Sequence, residues 1–138
     1  MPNLVSEELY YARTHEWAQV DENVVTVGLT GFRLHQLGEV LFLDMPEVGK
    51  TARLGEAFFS LESAKHIHDF AAPVSGIVLE VNETLLDDLG RLNDDPFGDG
   101  WILRIEMEKE TDLTFLMKAP EYKKQLTLAI KDEAIQGI

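Results

Sequence analysis

Val25, Val27 and Leu29 alternate with Thr26 and Gly28, so Val24–Leu29 reads as a strand with one buried face. A shorter strand signal, Glu16–Val20, precedes it across the turn Asp21-Glu22-Asn23. Phe32–Leu37 has the length and apolar spacing of a short helix stopped by Gly38. Val40–Leu43 and Ala57–Leu61 are apolar runs, the first closed by Pro46 and Gly49. Phe70–Ala72 is a third, and the turn Pro73-Val74-Ser75-Gly76 leads into Ile77–Val81. Asn93–Gly100 carries Pro96, Gly98 and Gly100 and reads as a loop, and Trp101–Ile105 is the last strand expected. Strand signals at this spacing indicate a sandwich or barrel. From Thr111 the pattern becomes helical. Thr111 is placed to cap a turn carrying Leu113, Leu116 and Met117, and Pro120 to open a second helix with Tyr122, Leu126, Ala129 and Ile130 on one stripe. The expected fold is a small β sandwich with a helical tail over 109–138, frayed after Lys131. Trp17, Trp101, Phe42, Phe58, Phe59 and Phe70 read as core. A Pro…Gly turn before a strand occurs at Pro46–Gly49 and again at Pro73–Gly76, a weak sign of two similar halves.

Composition narrows the function. A chain of 138 residues, 45% hydrophobic and 27% charged, is a globular domain rather than a disordered tail. With no cysteine, it can have no disulfide framework, thiolate zinc site or cysteine nucleophile. A net charge of −13 disfavours phosphate backbones and anionic lipid, and favours a basic protein partner. No apolar run approaches the length of a membrane span, and the N-terminus lacks the basic and apolar regions of a signal peptide. We therefore expect a cytoplasmic protein, or a matrix protein if the chain is a mature mitochondrial one.

No GxSxG, Walker loop, GxGxxG or HExxH is present. The unusual segment is FFSLESAKHIHDFAAP, residues 58–73. A lone lysine, Lys65, sits between two short apolar strands, the position of a hairpin tip. Its long stem there points away from the body and within reach of a modifying enzyme. From spacing alone, a solvated turn residue is the ordinary reading.

THEW at 14–17, TVGLT at 26–30, QLGEVLFLDMPEVG at 36–49, LESAK at 61–65, APVSGIVLEVNE at 72–83 and LNDDPFGDGW at 92–101 occur in that order. Together they resemble the H proteins of the glycine cleavage system over about residues 10–106, with looser similarity through the tail. The resemblance implies a mainly β barrel-sandwich hybrid of the lipoyl/biotinyl type, with a short helix and a C-terminal helical extension. It implies a single domain, 1–138, with its core at about 10–106 and its extension at about 107–138. It also implies lipoate in amide linkage to Lys65, attached by a lipoate ligase or lipoyl transferase, and a monomeric carrier with no catalytic residue of its own. Such a carrier takes an aminomethyl group from glycine decarboxylase to aminomethyltransferase and is reoxidised by lipoamide dehydrogenase. Its role thus lies in glycine catabolism and one-carbon metabolism.

Carried over by position, Thr14, Glu16 and Asp69 match residues that hold the loaded arm in a surface cleft. Glu62 and Ser63 match the motif before the lysine and shape the turn. Gly76 matches the glycine of the opposing turn, where a positive φ is expected. One departure stands out. Family members usually have small residues after the lysine, where this chain has His66-Ile67-His68 before Asp69. His15, His35 or Asp69 would be their partners in a metal site, but two ligands at that spacing do not make one, and no metal is expected. Related lipoyl carriers serve other routes, including heterodisulfide-reductase-like sulfur oxidation and lipoyl relay. An unmodified interaction module is the rival from another class.

Overall fold

The computed structural model describes residues 5–64 and 66–136. Ten strands form two antiparallel sheets. In chain order they are β1 (Tyr10–Tyr11), β2 (Glu16–Asp21), β3 (Val24–Leu29), β4 (Val40–Asp44), β5 (Thr51–Ala52), β6 (Ala57–Ser63), β7 (Ile67–Ala71), β8 (Gly76–Val81), β9 (Leu103–Met107) and β10 (Met117–Lys118). The helices are α1 (Gly31–Leu37), α2 (Thr84–Asp87), α3 (Arg91–Asp94) and α4 (Ala119–Gln136), with a 3-10 helix at Glu110–Phe115. The larger sheet has the order β10-β1-β2-β3-β9-β8-β5, and the smaller β4-β6-β7. This is the mainly β barrel-sandwich architecture expected, with a short helix and a C-terminal helix.

The inward faces of both sheets supply one apolar core: Val25, Val27, Val78 and Ile105 from the larger, and Leu43, Phe59, Leu61 and Phe70 from the smaller. The alternation read in β3 serves this burial. A second cluster lies where α4 returns, with Tyr11 stacked on Tyr122, ring centroids 4.2 Å apart, beside Trp17 and Phe32. Trp17 lies opposite Gly28 in the β2–β3 register. A Cβ on Gly28 would fall 2.5 Å from the indole, so glycine is what lets the ring lie across the strand.

Several expectations change. Gly76 does not adopt a positive φ; among the described residues the glycines that do are Gly38, Gly49 and Gly55. A Cβ on Gly76 would lie 1.9 Å from the Glu106 carbonyl oxygen, so close approach of β9 is what demands glycine. Phe42 is 59% exposed rather than core, because a bulge between Val40 and Phe42 leaves both Leu41 and Phe42 facing out. Trp101 is half-buried and precedes the last long strand; the Arg104 guanidinium packs 3.9 Å from its ring centroid. Thr111 lies inside the 3-10 helix instead of capping a turn, and Met117 turns extended to pair with β1. The tail is thus a 3-10 turn, a short strand and one helix. Within α4, Tyr122 and Leu126 are buried but Ile130 is exposed. The strands after the two Pro…Gly turns pair with each other, Ala52 opposite Gly76.

Candidate functional site

The segment FFSLESAKHIHDFAAP folds as the β6–β7 hairpin, the best-paired part of the smaller sheet. Ser60 lies opposite Asp69, Leu61 opposite His68 and Glu62 opposite Ile67. The Ser63 N–H donates to the His66 carbonyl at 2.9 Å and closes the hairpin; the Ser63 hydroxyl reaches the same oxygen at 3.4 Å. Ser63 is buried, whereas Glu62 and Ala64 are exposed. Lys65, the expected acceptor, lies outside the described residues. The rings of His66 and His68 meet edge to face, centroids 5.9 Å apart.

Thr14 and Glu16 come together at the start of β2. The turn before it is closed by the His15 N–H donating to the Ala12 carbonyl at 3.0 Å, with His15 at φ 75°. That left-handed residue turns the Glu16 side chain inward, where it is 1% exposed. The Thr14 hydroxyl donates to Oε2 of Glu16, while Oε1 is buried without a hydrogen-bond partner. Burial pushes the Glu16 carboxyl above its ordinary value, opposed by the Thr14 hydroxyl, its own backbone N–H and the Arg33 charge. A buried acceptor left open costs about 1–3 kcal/mol, so this oxygen is poised for a donor.

α1 forms the adjoining wall. Thr30 caps it, its hydroxyl accepting from the Arg33 N–H at 3.3 Å, and Gly38 ends it with its N–H on the Leu34 carbonyl at 3.1 Å. Phe32, Leu34 and Leu37 are buried, which turns Arg33 toward the smaller sheet. The Arg33 guanidinium lies 5.6 Å from the centroid of the Phe70 ring. One of its ends donates to Oε1 of Gln36 at 3.1 Å, and its Nε is buried without a partner. Behind α1 the Tyr122 hydroxyl donates to Oγ1 of Thr30 at 3.3 Å. Nδ1 of His15 lies 2.7 Å from the same hydroxyl, within hydrogen-bond distance. Burial first, then the Arg33 charge, lowers the His15 pKa and keeps the ring neutral. Burial also pushes the Tyr122 phenol up to about 12.

Asp69 stands apart from this cluster. It is exposed and lines an open groove of about 880 Å³ with Asp44, Glu47, Lys50 and Ser60. No hydrogen bond joins it to Thr14 or Glu16. Among the described residues no group of three or more His, Asp or Glu side chains is placed to hold a metal ion. Sequence reasoning missed Arg33, Thr30 and Tyr122. The only available signal was a single cation on the predicted helix, which does not reveal what the helix packs against.

A three-stranded sheet ending in the ESAK hairpin, packed on a larger antiparallel sheet, defines a carrier domain of the lipoyl/biotinyl type. The chain belongs to the glycine cleavage H-protein family, whose model matches residues 9–129. It is 41% identical over 122 residues to a glycine cleavage system H protein of Rubrobacter xylanophilus, covering 88% of this chain and 94% of that one. A protein of the same name from Listeria monocytogenes is 42% identical over 120 residues, covering 87% and 96%. The crystal structure of an H protein from Mycobacterium marinum superposes with a TM-score of 0.81 at 32% identity, covering 89% of this chain and 99% of that one.

Proposed function

We propose that the whole chain, 1–138, is one carrier domain that bears lipoate on Lys65 and carries an aminomethyl group within the glycine cleavage system. The carrying observation is the ESAK turn on a paired hairpin, in a chain that matches the H-protein family over 9–129. Lipoate, once attached, supplies a disulfide that accepts both electrons and a one-carbon group. The protein presents and shelters it. Ser63 fixes the turn, and exposed Glu62 stands next to the motif where an attaching enzyme reads it. Glu16, with one oxygen free, is placed to accept hydrogen bonds from the ammonium of the cargo, steadied by Thr14. Exclusion of water around so deeply buried a carboxylate slows loss of the cargo. Asp69 contributes acidic charge from the outer face of the hairpin.

The partners are glycine decarboxylase, aminomethyltransferase and lipoamide dehydrogenase, with a lipoate ligase or lipoyl transferase attaching the arm. The carrier works as a cytoplasmic monomer. Its charge of −13 suits brief docking on basic patches, and turnover requires that docking stay transient. Incubation with lipoate ligase, ATP and lipoate should raise the intact mass by one lipoyl amide, and Lys65→Arg should abolish the gain. An Arg variant modified as well as wild type would move the acceptor to another lysine. A second reading, a carrier for another lipoyl-dependent route, rests on His66 and His68 beside the arm with Arg33 close by.

A further inference from the structure

Two buried polar atoms of opposite character are left open beside the hairpin, Oε1 of Glu16 and Nε of Arg33. The Arg33 charge acts on the Glu16 carboxyl, yet the two form no direct ion pair. An unpaired acceptor and an unpaired donor, each costly to leave open, together suit a group that both donates and accepts.

Phe70 and His68 share one face of β7, and His66 immediately precedes the strand. Arg33 packs over the Phe70 ring, and its charge is felt by His68. From His66 to Phe70 is about 13 Å of strand, within the span of a lysine stem extended by an octanoyl-length acid. A lipoyl arm loaded from glycine carries two polar groups. Glycine loses its carboxylate as CO2, and the bonding pair so released opens the disulfide. The aminomethyl carbon bonds one sulfur, and the other sulfur takes the proton as a thiol. The loaded arm therefore holds an ammonium and, a few bonds away, a free sulfur able to accept a hydrogen bond.

We infer that Arg33 is the second contact for the loaded arm: Glu16 takes the ammonium, and Nε–H of Arg33 takes the free sulfur. The pairing is specific to the loaded state, because the oxidised arm has neither group. It rests on the carrier reading above and deepens it.

The test uses full-length lipoylated protein, reduced and then loaded chemically with formaldehyde and ammonium. One thiol, one formaldehyde and one ammonia give the aminomethyl thioether and water. Loading is verified by mass, so it does not depend on glycine decarboxylase. The Nε–H resonance of Arg33, assigned by its loss in Arg33→Lys, should shift on loading of wild type and stay in place on reduction alone. The half-life of the adduct should fall about tenfold in Arg33→Ala, the worth of one charge-assisted hydrogen bond. Lys, which keeps the charge, should restore part of it. A resonance unmoved in fully loaded wild type would overturn the inference, leaving only water between the two side chains. So would an Ala variant with the wild-type half-life. Parallel exchange of bicarbonate into glycine separates the two claims: no exchange with a shifted resonance sinks the glycine-cleavage reading and leaves Arg33 as an arm contact.

Discussion

Nδ1 of His15 lies 2.7 Å from the hydroxyl of Tyr122, so the long C-terminal helix is hydrogen-bonded to the turn that aims Glu16. The same hydroxyl donates to Thr30, the cap of the helix that carries Arg33. One phenol thus ties both walls of the candidate cleft to α4, and its stacking on Tyr11 buries the ring.

Tyr122→Phe should keep the stacking and remove both hydrogen bonds. The buried Nδ1 of His15 then loses its partner, at a cost of about 1–2 kcal/mol. For a domain of this size that is roughly 3–8 °C in melting temperature. Calorimetry of wild type and variant checks it, and lipoylation of the hairpin should be unaffected. A melting temperature within a degree of wild type would remove Tyr122 as a strut of the site.

The Glu16 carboxyl has a pKa raised in the folded state, mainly by burial. Between the ordinary carboxylate value and the raised one, the folded protein binds more protons than the unfolded chain. This group's contribution to stability therefore falls as pH rises through that window. Glu16→Gln removes the titration. The variant should gain stability relative to wild type as pH is raised from about 4 to about 7. Urea unfolding at several pH values reads this directly. At neutral pH the variant should also shed a chemically loaded aminomethyl group faster than wild type, while accepting lipoate normally. A stability difference that does not change with pH would place the carboxyl at its ordinary value.

The part of the site carried by contiguous residues was legible before any coordinates. LESAK, flanked by apolar runs, can make only a short exposed connection, and the structure pairs those runs as β6 and β7. Thr14 and Glu16 were likewise nameable, because THEW is a local motif. Arg33 was not, since its role depends on where α1 packs against β7, which no local pattern records. Phe42 was misread for a related reason. An unbroken apolar run such as Val40–Leu43 has no alternation to tell inside from outside, and a bulge decided the matter. β1 and β10, two residues each, are too short for any period and exist through pairing, β1 with β2 and β10, and β10 with β1. Gly76 was assigned the wrong cause because close approach and positive φ select the same residue.

His66 and His68 are the feature that sets this hairpin apart, and their replacement divides the two readings of function. His66 is exposed; His68 is half-buried, its pKa lowered first by burial and then by Arg33 and His66. The His68 ring is thereby biased toward its neutral form. Replacing them with Ala and Ser removes two side chains at the turn, while Glu16, Thr14 and Arg33 keep their places. Lipoylation and glycine–bicarbonate exchange should stay within about twofold of wild type, less than ~0.5 kcal/mol of barrier. Both proteins are compared fully lipoylated, with loading checked by mass. If wild type exchanges negligibly and the double variant gains exchange, the histidines adapt the arm to a different partner. The chain would then be a lipoyl carrier of another route, with the hairpin and its lysine unchanged in role.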